Sequence, residues 1–189
     1  MRYMPIEMDD KKIIENFLAG DEQAFSVLVK KYLDNLYNFV MIFMGERMAA
    51  EDVVQETFVK AWKNMKSFDK SKNFKTWLFT IGKNTAMDFL KKKKAMPFSF
   101  FENDEGISPF ENIVDENELI DQVLAEDEDG EKLWKALKKI KDKYRLILEL
   151  CYREDMTLAE ISEVLEIPYN TLKSQHGRAL LALKKALKG

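Results

Sequence analysis

The residues best suited to chemistry lie near the end of the chain, where polar side chains recur within a helical pattern. The segment YNTLKSQHGRALLALKKAL covers residues 169–187. The polar side chains of interest are Thr171, Lys173, Ser174, Gln175 and Arg178. Hydroxyl, amide, ammonium and guanidinium groups hydrogen-bond to base edges and phosphates when a helix lies in the major groove of DNA. The pattern therefore predicts a DNA-reading helix with these five residues on its outer face.

Two predicted helices would position this polar face. Thr157 and Glu160 have the spacing of a capping box, so a helix is expected to begin after Thr157. Pro168 disfavours helical geometry at Ile167 and ends that helix, and Asn170 is a suitable cap for the next. The inward positions of the second helix are Leu172, His176, Ala179 and Leu183. The arrangement is typical of a helix-turn-helix, although the pattern alone also fits a small bundle with solvated charges.

The chain offers little for catalysis. It has one histidine, His176, and one cysteine, Cys151, so no cluster of these residues has the spacing of a metal site. The sequence has no glycine-rich phosphate loop, and no motif marks Cys151 as a nucleophile. We therefore predict a protein that is not an enzyme and uses no cofactor or metal, with both residues in packing roles.

The rest of the chain also reads as helical, because no segment shows the two-residue period of a strand. An N-terminal four-helix module is expected, with helices that follow Asp9 or Asp10, follow Asp21, span Ala49–Met65 and span Phe74–Lys94. Shorter helices are expected at residues 131–140, 143–152, 158–165 and 171–187. The sequence thus predicts an all-α protein with two small domains, 1–94 and 131–189, joined by a linker at 95–130.

Charge divides the chain into the same three parts. Residues 1–94 hold 17 basic and 13 acidic side chains, and residues 131–189 hold 13 and 8. Residues 95–130 hold 12 acidic side chains and no basic one. Two mildly basic modules suit nucleic acid, and an acidic linker serves either as an extended spacer or as a shield for those modules.

No segment approaches the roughly eighteen apolar residues of a membrane span, and the first twelve residues lack the apolar core of a signal peptide. A single cysteine also fits a reducing compartment. We expect a cytoplasmic protein without direct membrane insertion.

Two stretches go beyond a generic helix-turn-helix. AEDVVQETFVKAW at 50–62, followed by FKTWLFTIGKNTAMDFLKKKK at 74–94, resembles region 2 of bacterial sigma factors. The segment at 169–187 resembles the end of their region 4. With no room for other regions, the chain resembles the extracytoplasmic-function (ECF) group of the sigma-70 family, whose members direct RNA polymerase to promoters.

The resemblance implies partners and site residues. Asp52, Gln55 and Glu56 match family positions that meet the clamp of the largest subunit of core RNA polymerase. The positions that match the family's contacts to the opened minus-10 element are Lys75, Trp77, Lys83, Asn84, Asp88 and Lys91. The five polar residues of 171–178 would read the minus-35 element. The family also implies an anti-sigma partner, and a linker that threads polymerase channels as a mimic of nucleic acid.

Trp77 is ambiguous, because a tryptophan at helical spacing usually packs in a core. The sequence also departs from the family pattern at the C-terminal end. Glu166 stands where the turn often has glycine, which costs stability if the turn keeps a left-handed conformation there. Gln175 replaces a frequent arginine, His176 takes a usually aliphatic inward position, and Gly177 lies inside the recognition helix.

Two other classes of protein remain open. One is a free-standing DNA-binding regulator whose N-terminal bundle senses or dimerises, and the other is a helical protein that binds a regulator and no DNA. AEDVVQ followed by an aromatic and basic helix favours the sigma factor over the first class. The polar face of residues 171–178 favours it over the second.

Overall fold

A computed structural model describes residues 9–93 and 131–188 of the chain. Within these ranges every regular element is helical, in agreement with the predicted all-α fold. The chain divides into two compact units, Met1–Ala95 and Met96–Gly189. The predictions made for the acidic linker at 95–130, and for Lys94, lie outside the described residues.

Four helices build the N-terminal unit: α1 (Asp10–Leu18), α2 (Ala24–Met44), α3 (Arg47–Asn64) and α4 (Phe74–Lys92). A short 3-10 turn, Met65–Ser67, follows α3. The side chain of Asp9 accepts a hydrogen bond from the Lys11 amide and caps α1, as its position predicted. Asp21 accepts from the Gln23 amide at 3.1 Å, so it closes the turn before α2 and does not cap the helix itself.

The N-terminal core forms along the apolar faces of its helices. Leu28, Leu36 and Val40 of α2 are fully buried, as are Ala50 and Ala61 of α3. Separations of 4, 8 and 11 positions return to the same face of a helix, so these side chains mark the inward faces of α2 and α3, which contact each other.

Helix α4 approaches α2 closely at one point. A β-carbon added to Gly82 would lie 2.8 Å from Cδ1 of Leu36. The absence of a side chain at Gly82 therefore lets the two helices pack at this distance.

Four further helices build the C-terminal unit: α5 (Glu131–Lys139), α6 (Asp142–Leu148), α7 (Leu158–Leu165) and α8 (Tyr169–Lys188). Its core includes a cluster in which Ala136, Ile140 and Tyr144 pack against Ala179 and Leu183. The segment predicted as helical, 143–152, is helical, but its second half is not α-helical. There the backbone widens into a π-helical turn, Glu149–Arg153.

None of the helices in the described ranges is long and apolar enough to cross a membrane.

Candidate functional site

The helix-turn-helix begins with the predicted capping box. The Glu160 carboxylate accepts a hydrogen bond from the Thr157 amide at 2.9 Å, and the Thr157 hydroxyl accepts from the Glu160 amide at 3.3 Å. These two bonds satisfy backbone amides that the first turn of a helix cannot. They fix the start of α7, which supports the turn and α8 behind it.

The turn between α7 and α8 keeps a left-handed conformation at Glu166. Glu166 has φ 56° and ψ 38° and lies at the end of α7. The Ser162 hydroxyl donates to the Ile167 carbonyl at 2.6 Å, and the Ile167 amide donates to the Ser162 carbonyl at 3.2 Å. Ser162 and Ile167 therefore form two hydrogen bonds across the turn that contains Glu166, the position at which glycine is common.

Helix α8 begins two residues earlier than expected. The Leu172 amide donates to the Pro168 carbonyl at 2.9 Å, and Tyr169 is the first helical residue. The prediction that Asn170 caps this helix is wrong. Pro168 has no amide hydrogen to leave unsatisfied, and its fixed φ suits the start of a helix.

The outer face of α8 holds four of the five predicted DNA-reading residues. Lys173 is exposed, and Thr171, Ser174 and Arg178 are half-buried. Gln175 is different, because only 8% of it is exposed. It lies three positions after the buried Leu172 and therefore falls on the inner stripe, so its predicted place on the outer face is wrong.

His176 packs inward, as the sequence predicted, with 5% of the residue exposed. Its Nε2 lies 2.8 Å from the hydroxyl of Tyr152, which belongs to the π-helical turn. The two rings are 5.8 Å apart between centroids. Sequence reasoning missed this contact, because it depends on a π-helical turn that helical periodicity does not reveal.

The aromatic residues before and within α4 form a packed cluster. The ring centroid of Trp77 lies 4.9 Å from that of Phe68 and 5.7 Å from that of Phe74. Phe74 also lies 5.6 Å from Tyr32 of α2. Trp77 is half-buried in this cluster, so it packs against the fold while part of its ring reaches the surface.

The predicted minus-10 residues of α4 divide between two faces. Asn84, Asp88 and Lys91 are exposed, and their spacing of four and then three residues places them on one stripe. Lys83 is only 6% exposed, because it lies four positions after the buried Phe79 on the inner stripe. Its burial separates it from the exposed Lys91 of the same helix.

Lys75 is half-buried at the start of α4. Its ammonium group lies 5.7 Å from the centroid of the Phe79 ring, within the range of a cation–π contact. This contact orients the Lys75 side chain along α4, toward the ring that lies four positions later in the same helix.

The loop before α4 is tied down by its own side chains. The carboxylate of Asp69 accepts hydrogen bonds from the amide and the hydroxyl of Ser71 at 2.9 and 2.8 Å. These bonds hold the pKa of the Asp69 carboxyl below its ordinary value. Asn73 then caps α4 by accepting from the Thr76 amide at 3.3 Å. These hydrogen bonds therefore fix the conformation of the loop that leads into α4.

The third predicted surface is the outer face of α3. Asp52, Gln55 and Glu56 are all exposed, and their spacing places them side by side. The Lys60 ammonium pairs with Glu56 at 2.9 Å and donates to the Thr85 hydroxyl of α4 at 3.1 Å. Lys60 thereby links this acidic face to the helix that bears Asn84 and Asp88.

Sequence reasoning missed two apolar members of the same face. Met48 is 72% exposed and Val59 is 49% exposed. They lie four positions before Asp52 and four positions after Gln55, and this helical spacing could have revealed them. Exposed apolar side chains flanked by polar ones are typical of a protein-binding surface.

Across residues 9–93 and 131–188, no group of three or more histidine, cysteine or acidic side chains could hold a metal ion. Cys151 is a half-buried thiol next to Tyr152.

Sequence profiles of two family regions match the chain. The profile of Sigma-70 region 2 matches residues 28–96, which include α3, α4 and most of α2. The profile of Sigma-70 region 4 matches residues 130–183, which include α5 to α7 and the polar half of α8.

Two curated relatives extend over nearly the whole chain. The ECF RNA polymerase sigma factor SigW of Bacillus subtilis is 34% identical over 185 residues, which cover 97% of this chain and 99% of that protein. The RNA polymerase sigma-H factor of Pseudomonas aeruginosa is 28% identical over 193 residues and covers 97% of this chain and 96% of its own.

Two solved structures share the fold at lower identity. CnrH in complex with the cytosolic domain of CnrY gives a TM-score of 0.62 at 24% identity, covering 95% of this chain and 97% of that one. The sigma factor RpoE of Bartonella quintana, in complex with the anti-sigma factor NepR, gives 0.60 at 24% identity, covering 87% and 96%.

Proposed function

The chain belongs to the extracytoplasmic-function group of sigma-70 RNA polymerase sigma factors, and we propose that α3, α4 and α8 carry its contacts to polymerase and promoter. As a sigma factor it binds core RNA polymerase and directs transcription initiation at promoters. The observation that carries the assignment of surfaces is that twelve of the fourteen implied contact residues are exposed or half-buried, on three separate helix faces.

The outer face of α3 is assigned to the clamp of the largest polymerase subunit. Asp52, Gln55 and Glu56 supply carboxylates and an amide, and Met48 and Val59 supply apolar area beside them. Acidic groups on one protein opposite basic groups on the other make the interface specific and speed association of the two proteins. The apolar side chains, which lose their contact with water on binding, contribute affinity.

Neutralising this face tests the assignment. The variant Asp52→Asn/Gln55→Ala/Glu56→Gln should bind core polymerase about tenfold more weakly and lose much of the salt dependence of binding. The matched control is Glu15→Gln/Asp34→Asn, which removes two exposed charges elsewhere in the same unit. Equal affinities of both variants for core polymerase would refute the role of α3.

Helix α4 is assigned to the opened minus-10 element. Unstacked bases bind to aromatic surfaces, amides and a positively charged track. The half-buried Trp77 supplies the aromatic surface, Asn84 and Asp88 the polar groups, and Lys75 and Lys91 the positive charge. Lys83 is not included, because its burial leaves little of it to meet DNA.

Replacing Asn84 and Asp88 by alanine should slow promoter melting, measured by 2-aminopurine fluorescence in the minus-10 element, while binding of core polymerase stays unchanged. The control Lys30→Ala alters an exposed residue of α2 and should leave melting unaffected.

Helix α8 is assigned to the minus-35 element in duplex form. Thr171, Lys173, Ser174 and Arg178 remain as its reading residues, since Gln175 is buried. Lys173→Ala/Arg178→Ala should abolish the advantage of a promoter that has a minus-35 element over one in which it is scrambled. Lys185→Ala, an exposed lysine at the far end of the same helix, should not.

We further propose that the protein works in the cytoplasm, without inserting into the membrane, and that an anti-sigma factor controls it. One solved structure of the same fold is a complex with the anti-sigma factor NepR, and another is a complex with the cytosolic domain of CnrY. Capture of a specific partner that blocks binding to core polymerase in solution tests the anti-sigma control.

We also propose that the chain is organised as two domains, residues 1–94 and 131–189, joined by a linker at 95–130.

A further inference from the structure

A hydrogen bond joins the recognition helix to the π-helical turn of the same unit. The Tyr152 hydroxyl lies 2.8 Å from Nε2 of His176. His176 is 5% exposed, whereas Tyr152 is 45% exposed. The bond therefore reaches from the surface of the unit to the buried side of α8.

The backbone around Tyr152 is unusual in two ways. The turn Glu149–Arg153 is π-helical, and its end is fixed by the Glu154 amide, which donates to the Glu149 carbonyl at 3.0 Å. Two residues later Asp155 adopts φ 50°. Single π-helical turns and left-handed residues other than glycine are both found preferentially at functional positions. A wider turn also shifts the direction of the side chains that follow it.

The partner of this turn lies among the reading residues of α8. His176 is between Ser174 and Arg178 in sequence and follows the buried Gln175. Gly177 comes next and leaves the helix backbone less restricted at this point. A contact at His176 therefore bears directly on the orientation of the residues assigned to DNA.

We propose that Tyr152 is a positioning residue for minus-35 recognition, which acts through His176 to fix the orientation of α8. The inference rests on the assignment of α8 to the minus-35 element. The bond forms in either neutral tautomer, because Nε2 can accept from the tyrosine hydroxyl or donate to it. Tyr152 touches no DNA in this role and sets only how the reading residues of α8 are presented.

The test uses the full chain in holoenzyme with core polymerase and two promoters that differ only in the minus-35 element, intact or scrambled. Tyr152→Phe removes the hydroxyl and keeps the ring. It should lower initiation from the intact promoter about three- to tenfold, the factor expected for one ordinary hydrogen bond, and leave the scrambled promoter unchanged.

A double-mutant cycle separates this role from general packing. His176→Leu should lower initiation from the intact promoter to a similar degree as Tyr152→Phe. Adding Tyr152→Phe to His176→Leu should then have no further effect, because the partner of the hydroxyl is already gone. The melting temperature of each variant is measured beside the transcription.

Three results would count against the proposal. An equal fall on both promoters would make Tyr152 a residue of general stability, and an undiminished effect of Tyr152→Phe in the His176→Leu background would exclude action through His176. An unchanged Tyr152→Phe would exclude the role outright. If the wild-type chain did not distinguish the two promoters, the assignment of α8 to the minus-35 element would itself be refuted.

Discussion

Replacing Glu166 by glycine should stabilise the C-terminal unit. Glu166 ends α7 in the left-handed region, with φ 56° and ψ 38°. An L-residue with a β-carbon pays roughly 1–2 kcal/mol for this geometry, whereas glycine adopts it freely. Glycine also gains freedom in the unfolded chain, which offsets part of the benefit. The net gain in the free energy of unfolding is about 1 kcal/mol.

The effect is large enough to measure by calorimetry. For a unit of this size, about 1 kcal/mol raises the melting temperature by roughly 4–8 °C. Hydrogen exchange of the buried amides of α8 assigns the transition to the C-terminal unit. These amides should become more protected in Glu166→Gly, while those of α2 should not change.

A matched control is available in the same helix. Glu163 is exposed within α7, so Glu163→Gly makes the same substitution at a position with ordinary helical geometry. It should destabilise the unit by about 1 kcal/mol, the usual cost of glycine inside a helix. A melting temperature that fell or stayed constant in Glu166→Gly would refute the reasoning, because the left-handed strain would then be absent.

Three more substitutions test the contacts within each unit. Thr157→Ala breaks the capping box and should lower the stability of the C-terminal unit by about 1 kcal/mol, with Thr157→Ser recovering most of the loss in urea denaturation. Asp10→Ala removes the partner of Lys31 and Tyr32 and should cost the N-terminal unit about 1–3 kcal/mol, read from thermal unfolding against the exposed control Asp34→Ala. Burial raises the pKa of the Glu149 carboxyl, against the pull of Arg153 and Arg145. A raised folded-state pKa means that the fold favours the protonated form and loses stability as the pH rises through that pKa. Glu149→Gln should therefore raise the melting temperature at pH 7, and the gain should vanish below the ordinary pKa of a glutamic acid, about 4.3, where the carboxyl is protonated in the folded and the unfolded state alike; a gain independent of pH would contradict this account.

The helices and their inner stripes could be predicted from the sequence, because burial repeats at the helical period. The capping box at Thr157 and the left-handed Glu166 were also predictable, since both depend on short local patterns that the structure confirms. These features require only interactions between residues a few positions apart in the chain.

Two site residues were chosen by residue type, although their helical positions lie on the inner stripe. Gln175 and Lys83 are polar, but they fall three or four positions from buried neighbours on the inner stripe. A strict count of the helical period would have placed both inside. The chemistry that their side chains suggest was therefore a poorer guide than the geometry of the helix.

Other features could not be predicted because they depend on tertiary contacts. The π-helical turn Glu149–Arg153 has no known sequence signature, and the bond between Tyr152 and His176 joins residues of two separate elements. The bridge from Glu56 through Lys60 to Thr85 likewise depends on how α3 packs on α4. Only the folded arrangement of the helices brings these groups together.

The most direct test of the central claim is run-off transcription with purified core polymerase on the promoter region upstream of the protein's own gene. The account predicts specific initiation only when both core polymerase and the chain are present, with the start site set by minus-10 and minus-35 elements. Gel filtration of the same mixture reports binding to core polymerase independently of the promoter chosen. A chain that failed to bind core polymerase, and yet shifted duplex DNA alone, would contradict the account.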